Sequence, residues 1–295
     1  MSRLYLPKIE PAPATILEHL IAHFPQIPAH TWRERVARGI VTTSDGAILN
    51  EGSPYCHGIT VFYDREVPSE PASLEQEEIV YQDAEILVAD KPHGMPVTPA
   101  GEYIERSLLV RLQKSTGLKA LAPMHRLDRD TAGIVLFAIN PASRGIYHKL
   151  FEEGNIEREY LAVAHVDYRA AMREQKQWRV ENRMEAGDPW YSQRIVNGPV
   201  NAITEIELLS MNEGIGLFRL RPQTGRKHQL RVHMMSIGFP IVGDPVYPKI
   251  RIIPDTPLQL LATRLAFIDP LNGTTRTFTS ARKLLKASQG FHIQS

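Results

Sequence analysis

Apolar positions recur along this chain with two periods, and each period marks a different kind of element. Ile16, Leu17, Leu20, Ile21 and Phe24 follow helical spacing until Pro25 and Pro28 stop the run. Thr31 followed by Glu34 has the form of a capping box, which predicts a second short helix ending at Gly39. Residues 40–41 and 59–63 read as strands, with Asp45-Gly46 as a turn between them. Residues 86–89 form a short apolar strand, and Lys91-Pro92-His93-Gly94 a turn. Helical spacing returns over 107–113 and again over 142–153, where Gly154 closes it. The unbroken apolar run 134–138 predicts a buried strand, and 156–166, 204–209, 216–221 and 258–267 predict further strands. Strands outnumber helices without alternating strictly with them, so the expected class is α+β rather than a doubly wound parallel sheet.

Composition divides this pattern in two. Pro68-Ser69-Glu70-Pro71-Ala72-Ser73 is proline-rich, acidic and poor in apolar residues, so 68–77 reads as a linker between a small domain, 1–67, and a larger one, 78–295. Hydrophobic residues make up 43% of 295, and no apolar run approaches the ~20 residues of a membrane span. A soluble globular protein with no membrane partner is expected. Pro7, Lys8 and Glu10 interrupt the start of the chain too soon for a signal peptide. The single cysteine, Cys56, excludes an internal disulfide and a cysteine-rich zinc site, which suits a reducing cytoplasm; Cys56 itself is expected to be a small buried residue.

The net charge of +1 gives no sign of a polyanionic partner, but its distribution does. Glu66, Glu70, Glu75, Glu77, Glu78, Asp83 and Glu85 follow one another with no Lys or Arg between them. Arg219, Arg221, Arg226, Lys227, Arg231, Lys249 and Arg251 are opposed by Asp244 alone. Such a stretch suits phosphate contacts, or else a solvated basic face.

The densest chemistry lies in Met124-His125-Arg126-Leu127-Asp128-Arg129-Asp130-Thr131-Ala132-Gly133, directly before the apolar run. It is either a site or a solvated turn with local ion pairs. A kinase catalytic loop is disfavoured, because Leu127 separates Arg126 from Asp128 and no glycine-rich loop precedes it. A glycosidase carboxylate pair is disfavoured, because residues two apart in an extended segment point to opposite faces. His228 and His233, five apart, do not share a face in a strand or a helix, so no metal is expected there. Gly225 and Gly243 read as tight turns, since neither belongs to a phosphate-binding loop pattern.

These residues resemble the RluA-type RNA pseudouridine synthases, whose central motif reads H-R-L-D-x-x-T-[ST/A]-G before an apolar strand. Tyr81-Gln82-Asp83 through Val88 to Gly94 is similar to the family's opening motif, and Arg158-Glu159-Tyr160-Leu161-Ala162 to its tyrosine strand. Pro222 to His233 resembles its basic motif, followed by Pro240-Ile241-Val242-Gly243-Asp244 and a closing strand from Leu258 to Pro270. The agreement runs in the family's order over roughly 78–282, which is more specific than any one motif. Ala132 departs from the frequent Ser or Thr before Gly133, at the cost of one hydroxyl.

The resemblance implies a mixed, largely antiparallel sheet with a cleft across it, residues 78–295 as the catalytic domain and 1–67 as an accessory domain. That accessory domain either binds RNA or braces the catalytic one. It further implies an isomerase that acts without cofactor, as a cytoplasmic monomer, on a uridine of structured ribosomal or transfer RNA. Asp128 carries over as the catalytic carboxylate, which either adds to C1′ or removes a sugar proton. Arg231 carries over as its guanidinium partner, opposing the rise in pKa that burial causes. Tyr160 contacts the base, and Leu230 lines the pocket. Arg126 takes the place of the flipped base. Arg129, Arg226, Lys227 and His228 join the substrate-binding set, and His125 orients the loop or acts as acid or base. The alternative is a catalytically idle RNA-binding protein on the same fold. A hydrolase releasing uracil would need a second positioned acid or base, and the sequence offers no candidate.

Overall fold

The computed structural model describes residues 2–25, 27–63, 75–100, 103–166, 175–189, 191–212, 214–248 and 256–284. The expected linker lies almost wholly outside them. The chain divides into two compact units, Met1–Ser69 and Glu70–Ser295.

In the first unit, strand β1 (Ser2–Tyr5) precedes helices α1 (Ile16–His23) and α2 (Ala29–Ala37), then strands β2 (Val41–Thr43) and β3 (Thr60–Tyr63). The strands pair antiparallel in the order β1-β3-β2, and Leu20, Trp32, Val41 and Val61 fill the core beneath them. The capping box is not at Thr31. Pro28 is the N-cap of α2, and the first turn closes when Thr31 N donates to Pro28 O, which leaves the threonine inside the helix. The box belongs to α1: Thr15 Oγ1 accepts Glu18 N–H at 3.1 Å, and Glu18 Oε2 accepts Thr15 N–H at 3.3 Å. Asp45-Gly46 does turn the chain, but back onto β2 through a Thr42–Ile48 bridge rather than into β3. Cys56 is exposed, because it lies in the turn before β3 and not on a strand's inner face.

The second unit runs β4 (Glu78–Gln82), β5 (Ile86–Lys91), α3 (Leu108–Thr116), β6 (Ala122–Pro123), β7 (Ala132–Ala138), α4 (Arg144–Glu152), β8 (Ile156–His165) and β9 (Gln177–Ala186). It continues with β10 (Gln193–Val196), β11 (Ala202–Asn212), β12 (Ile215–Pro222), a helix we label α5 (Gln229–Ser236), β13 (Leu260–Ile268) and β14 (Thr275–Thr279). Eleven strands form one sheet in the order β10-β9-β11-β12-β8-β13-β7-β5-β4, with β14 on β13 and β6 on β7. Among the described residues every pairing is antiparallel except β7 with β13, so the class is α+β with a mixed, largely antiparallel sheet.

Strand β7 is buried along its whole length, and its alternation divides two cores. Ile134, Leu136 and Ala138 join Tyr147 and Leu150 of α4 on one face. Val135 and Phe137 face the other way, with Leu108 and Leu112 of α3, Leu230 and Met234 of α5, and Tyr160. The parallel pairing of β7 with β13 spans only Leu261–Ala132 and Ala262–Gly133. It requires glycine there: Gly133 has φ +115°, and a Cβ would lie 2.2 Å from Ala262 O. This close approach brings the loop before β7 against the middle of the sheet.

Candidate active site

The loop between β6 and β7 is held from below by Lys91, the last residue of β5. Its Nζ is fully buried and donates to Pro92 O, Met95 O and Arg129 O at 2.9, 2.7 and 3.0 Å. Burial lowers its pKa to about 7, and the nearby Asp130 and Asp128 carboxylates oppose the fall. His93 Nδ1 donates to Asp130 O at 2.7 Å. Thr131 N–H returns to Asp128 O at 3.1 Å, so this segment is a turn rather than extended chain. The two aspartates are thus separated by the turn. Arg129 chelates Asp130 at 2.8 and 3.1 Å, and neither lines the cavity that Asp128 enters.

That cavity measures about 880 Å³, within the range of small-ligand sites. The structure brings Asp128, Tyr160, Arg231, Arg126, His125, Arg226, Lys227, His228 and Leu230 to its walls. Arg129 alone of the expected site residues is not among them. Of the wider basic stretch, Arg219 and Arg221 are taken up by Glu207 and Glu159 at 2.9 and 3.1 Å, while Lys249 and Arg251 lie outside the described residues.

Arg231 sits in the first turn of α5 and is 3% exposed. Its Nη1 donates to Asp128 Oδ2 at 3.3 Å, joining residues 103 apart in sequence. The rest of its guanidinium is bound by Asp244, Nε to Oδ2 at 2.8 Å and Nη2 to Oδ1 at 2.7 Å. These two carboxylates outweigh burial and hold the guanidinium in its charged form. Gly243, at φ +76°, lets the chain turn under Thr256 O and Pro257 O and delivers Asp244. Gly225 has no left-handed φ, so its backbone conformation does not call for glycine.

His228 is the N-cap of α5 and the one non-glycine residue with positive φ, +55°, among the described residues. This backbone turns its imidazole inward, with Nδ1 3.0 Å from the Tyr247 hydroxyl and Nε2 3.9 Å from Asp128 Oδ2. Burial pushes its pKa down to about 4 against the pull of Asp128, so the ring is neutral. His233 goes elsewhere: wholly buried, it meets Thr204 Oγ1 at 2.9 Å and Asn182 Oδ1 at 3.2 Å.

Tyr160, on β8, is 8% exposed beside Leu230, and burial raises its pKa. His125 Nε2 accepts Leu136 N–H at 3.0 Å, and its ring stacks on Phe151 at 4.7 Å. Burial, helped by Arg158, lowers its pKa to about 3, so it is a neutral acceptor that fixes the loop to β7. Arg126 is exposed and makes no hydrogen bond or ion pair among the described residues. Sequence reasoning missed Asp244, Tyr247, Phe151 and Arg158 as parts of this site. For Asp244 the signal was present: one acid alone in a basic stretch.

Residues 85–236 match the family described as RNA pseudouridylate synthase, a span that contains Asp128, Tyr160 and Arg231. Ribosomal large subunit pseudouridine synthase D of Zymomonas mobilis is 30% identical over 271 residues, which span 81% of this chain and 80% of that protein. Human RNA pseudouridylate synthase domain containing 1 has the same fold, with TM-score 0.58 and 21% identity over 75% of this chain and 96% of its own. The human domain containing 4 gives 0.53 and 26% over 70% and 88%.

Proposed function

The chain belongs to the RNA pseudouridylate synthase family, and from that premise we propose that it isomerises a uridine of structured ribosomal or transfer RNA with Asp128 as its catalytic carboxylate. The observation that carries this reading is the Arg231–Asp128 contact at 3.3 Å inside a cavity also lined by Tyr160. A carboxylate that must work while shielded from water needs a fixed cation beside it, and Arg231 is itself fixed by Asp244.

In the reaction the bond from uracil N1 to C1′ breaks, the base turns, a bond forms from C5 to C1′, the C5 proton leaves to water, and N1 takes up a proton in its place. Asp128 either bonds to C1′ or removes a sugar proton to give a glycal; both routes need one ionised carboxylate. Tyr160 and Leu230 form the surface against which the freed base turns. Arg126, exposed at the cavity wall, fills the space that the flipped uridine leaves in the RNA.

The test is tritium release to water from uridine-5-tritiated total RNA, with no added cofactor. Release by the wild type and none by Asp128→Asn is the expected result. Equal release by both would remove Asp128 from the mechanism.

A further inference from the structure

Arg158 lies two residues before Tyr160 on β8, so both side chains project to the same face of the sheet, and both line the cavity. Its situation differs from that of the neighbouring guanidiniums that acids hold and, because it is half-buried, from that of Arg126 and Arg226, which are exposed. Arg231 has two carboxylates, Arg129 has Asp130, and Arg219 and Arg221 have Glu207 and Glu159. Arg158 has no carboxylate partner among the described residues: Nη2 donates to Pro222 O at 3.1 Å, and Nε is buried without an acceptor. A half-buried cation with no counter-ion is unfavourable, and the usual remedy is an anion that arrives with the ligand.

Gly225 shows which way this cation points. Its backbone does not need glycine, yet a Cβ there would come within 3.3 Å of Arg158 Nη1. The missing side chain leaves Nη1 open on the cavity side. The charge also reaches the cavity floor, where it lowers the pKa of His125 and opposes the rise at Tyr160.

We propose that Arg158 binds, through Nη1, a phosphate flanking the flipped uridine, and so sets the position of the ribose over Asp128. The proposal rests on the isomerase reading above. A planar guanidinium already anchored at Nη2 loses little freedom on taking a phosphate oxygen. Arg231 is committed to Asp128 and Asp244, whereas Arg158 keeps Nη1 beside the cavity on Tyr160's own strand.

The experiment measures kcat and KM for tritium release from uridine-5-tritiated total RNA across a series of KCl concentrations, for wild type, Arg158→Gln and Arg158→Lys. Arg158→Gln is expected to raise KM about tenfold, with the larger effect on KM than on kcat. It should also flatten the plot of log kcat/KM against log salt by roughly 0.7, the contribution of one phosphate contact on single-stranded RNA. Arg158→Lys keeps the charge and should keep the slope, which a purely structural role would not predict. Gly225→Ala, which crowds Nη1 without touching the charge, should raise KM as well and serves if Arg158→Gln fails to fold. A KM rise with an unchanged slope in Arg158→Gln would overturn the phosphate assignment, as would a Lys variant that loses the slope too. Tritium release by wild type alongside either of those results leaves the isomerase reading intact; no release by wild type at any salt removes both.

Discussion

Asp244 grips Arg231 along two parallel hydrogen bonds of 2.8 and 2.7 Å, and both side chains are almost entirely buried. The pair is shorter than the Arg231–Asp128 contact, so Asp244 sets where the guanidinium stands and Asp128 receives what remains of it. Asp244→Asn should lower kcat at least tenfold. Because it leaves a buried cation half-paired, it should also cost about 3 kcal/mol. Urea melts beside tritium-release kinetics check both; a variant with wild-type kcat would reduce Asp244 to packing.

Tyr160→Phe keeps the ring and removes only the hydroxyl. If that hydroxyl handles a proton, kcat should fall roughly a hundredfold while the melting temperature stays within a degree or two. Full activity in the variant would leave the ring as a platform for the base and nothing more.

Gly133→Ala places a methyl group 2.2 Å from Ala262 O, at a backbone angle L residues rarely adopt. The β7–β13 contact must open. A fall in melting temperature of roughly 10 °C is expected, equivalent to about 3 kcal/mol in a unit of this size. Calorimetry on the purified variant decides it.

Acid should unfold the protein through its histidines. Burial holds His125 at about 3 and His228 and His233 at about 4, all below the 6.5 of a free imidazole. The unfolded chain therefore takes up protons first. Stability is full above pH 6.5 and is lost as pH falls toward 4, by about 1.4 kcal/mol per pH unit for each histidine. His233→Gln, which does not line the cavity, should remove one such contribution from the pH dependence of urea unfolding. An unchanged slope between pH 6 and 4 would mean that His233 titrates alike in both states.

Arg126→Ala should slow base extrusion about tenfold without destabilising the fold, since the side chain is exposed and unpaired among the described residues. A 2-aminopurine beside the mapped target uridine reports extrusion, and a normal fluorescence change would rule out the wedge.

Much of this was legible in the sequence wherever one face of an element is buried. Helix α1 and strands β5, β7, β8 and β12 announce themselves by period, and the chemistry of 124–133 by density. Helix α5 could not be read that way. Six of its eight residues are buried, among them Gln229, Arg231 and His233, so no polar stripe marks a solvent side. Arg231 was legible only through the family resemblance, which paired it with Asp128; Asp244, the carboxylate that binds it most closely, comes 13 residues later, beyond any local pattern. Asp128 and Asp130 were rightly separated, but through a turn closed by Thr131 and the Arg129 chelate, not by strand alternation. The Thr31 box failed because Pro28 starts its helix three residues earlier.

The parallel join of β7 to β13 also governs when this protein can act. Asp128 leaves the ribosome more than a hundred residues before Arg231, and Leu261 and Ala262, against which the loop is seated, follow some thirty residues later. Closing such a long loop is slow, and no shorter piece of the chain holds the loop, the guanidinium and the central strand together. A nascent chain can carry the loop of Asp128 long before its partners exist, but the candidate site is assembled only once Leu261 and Ala262 have been made.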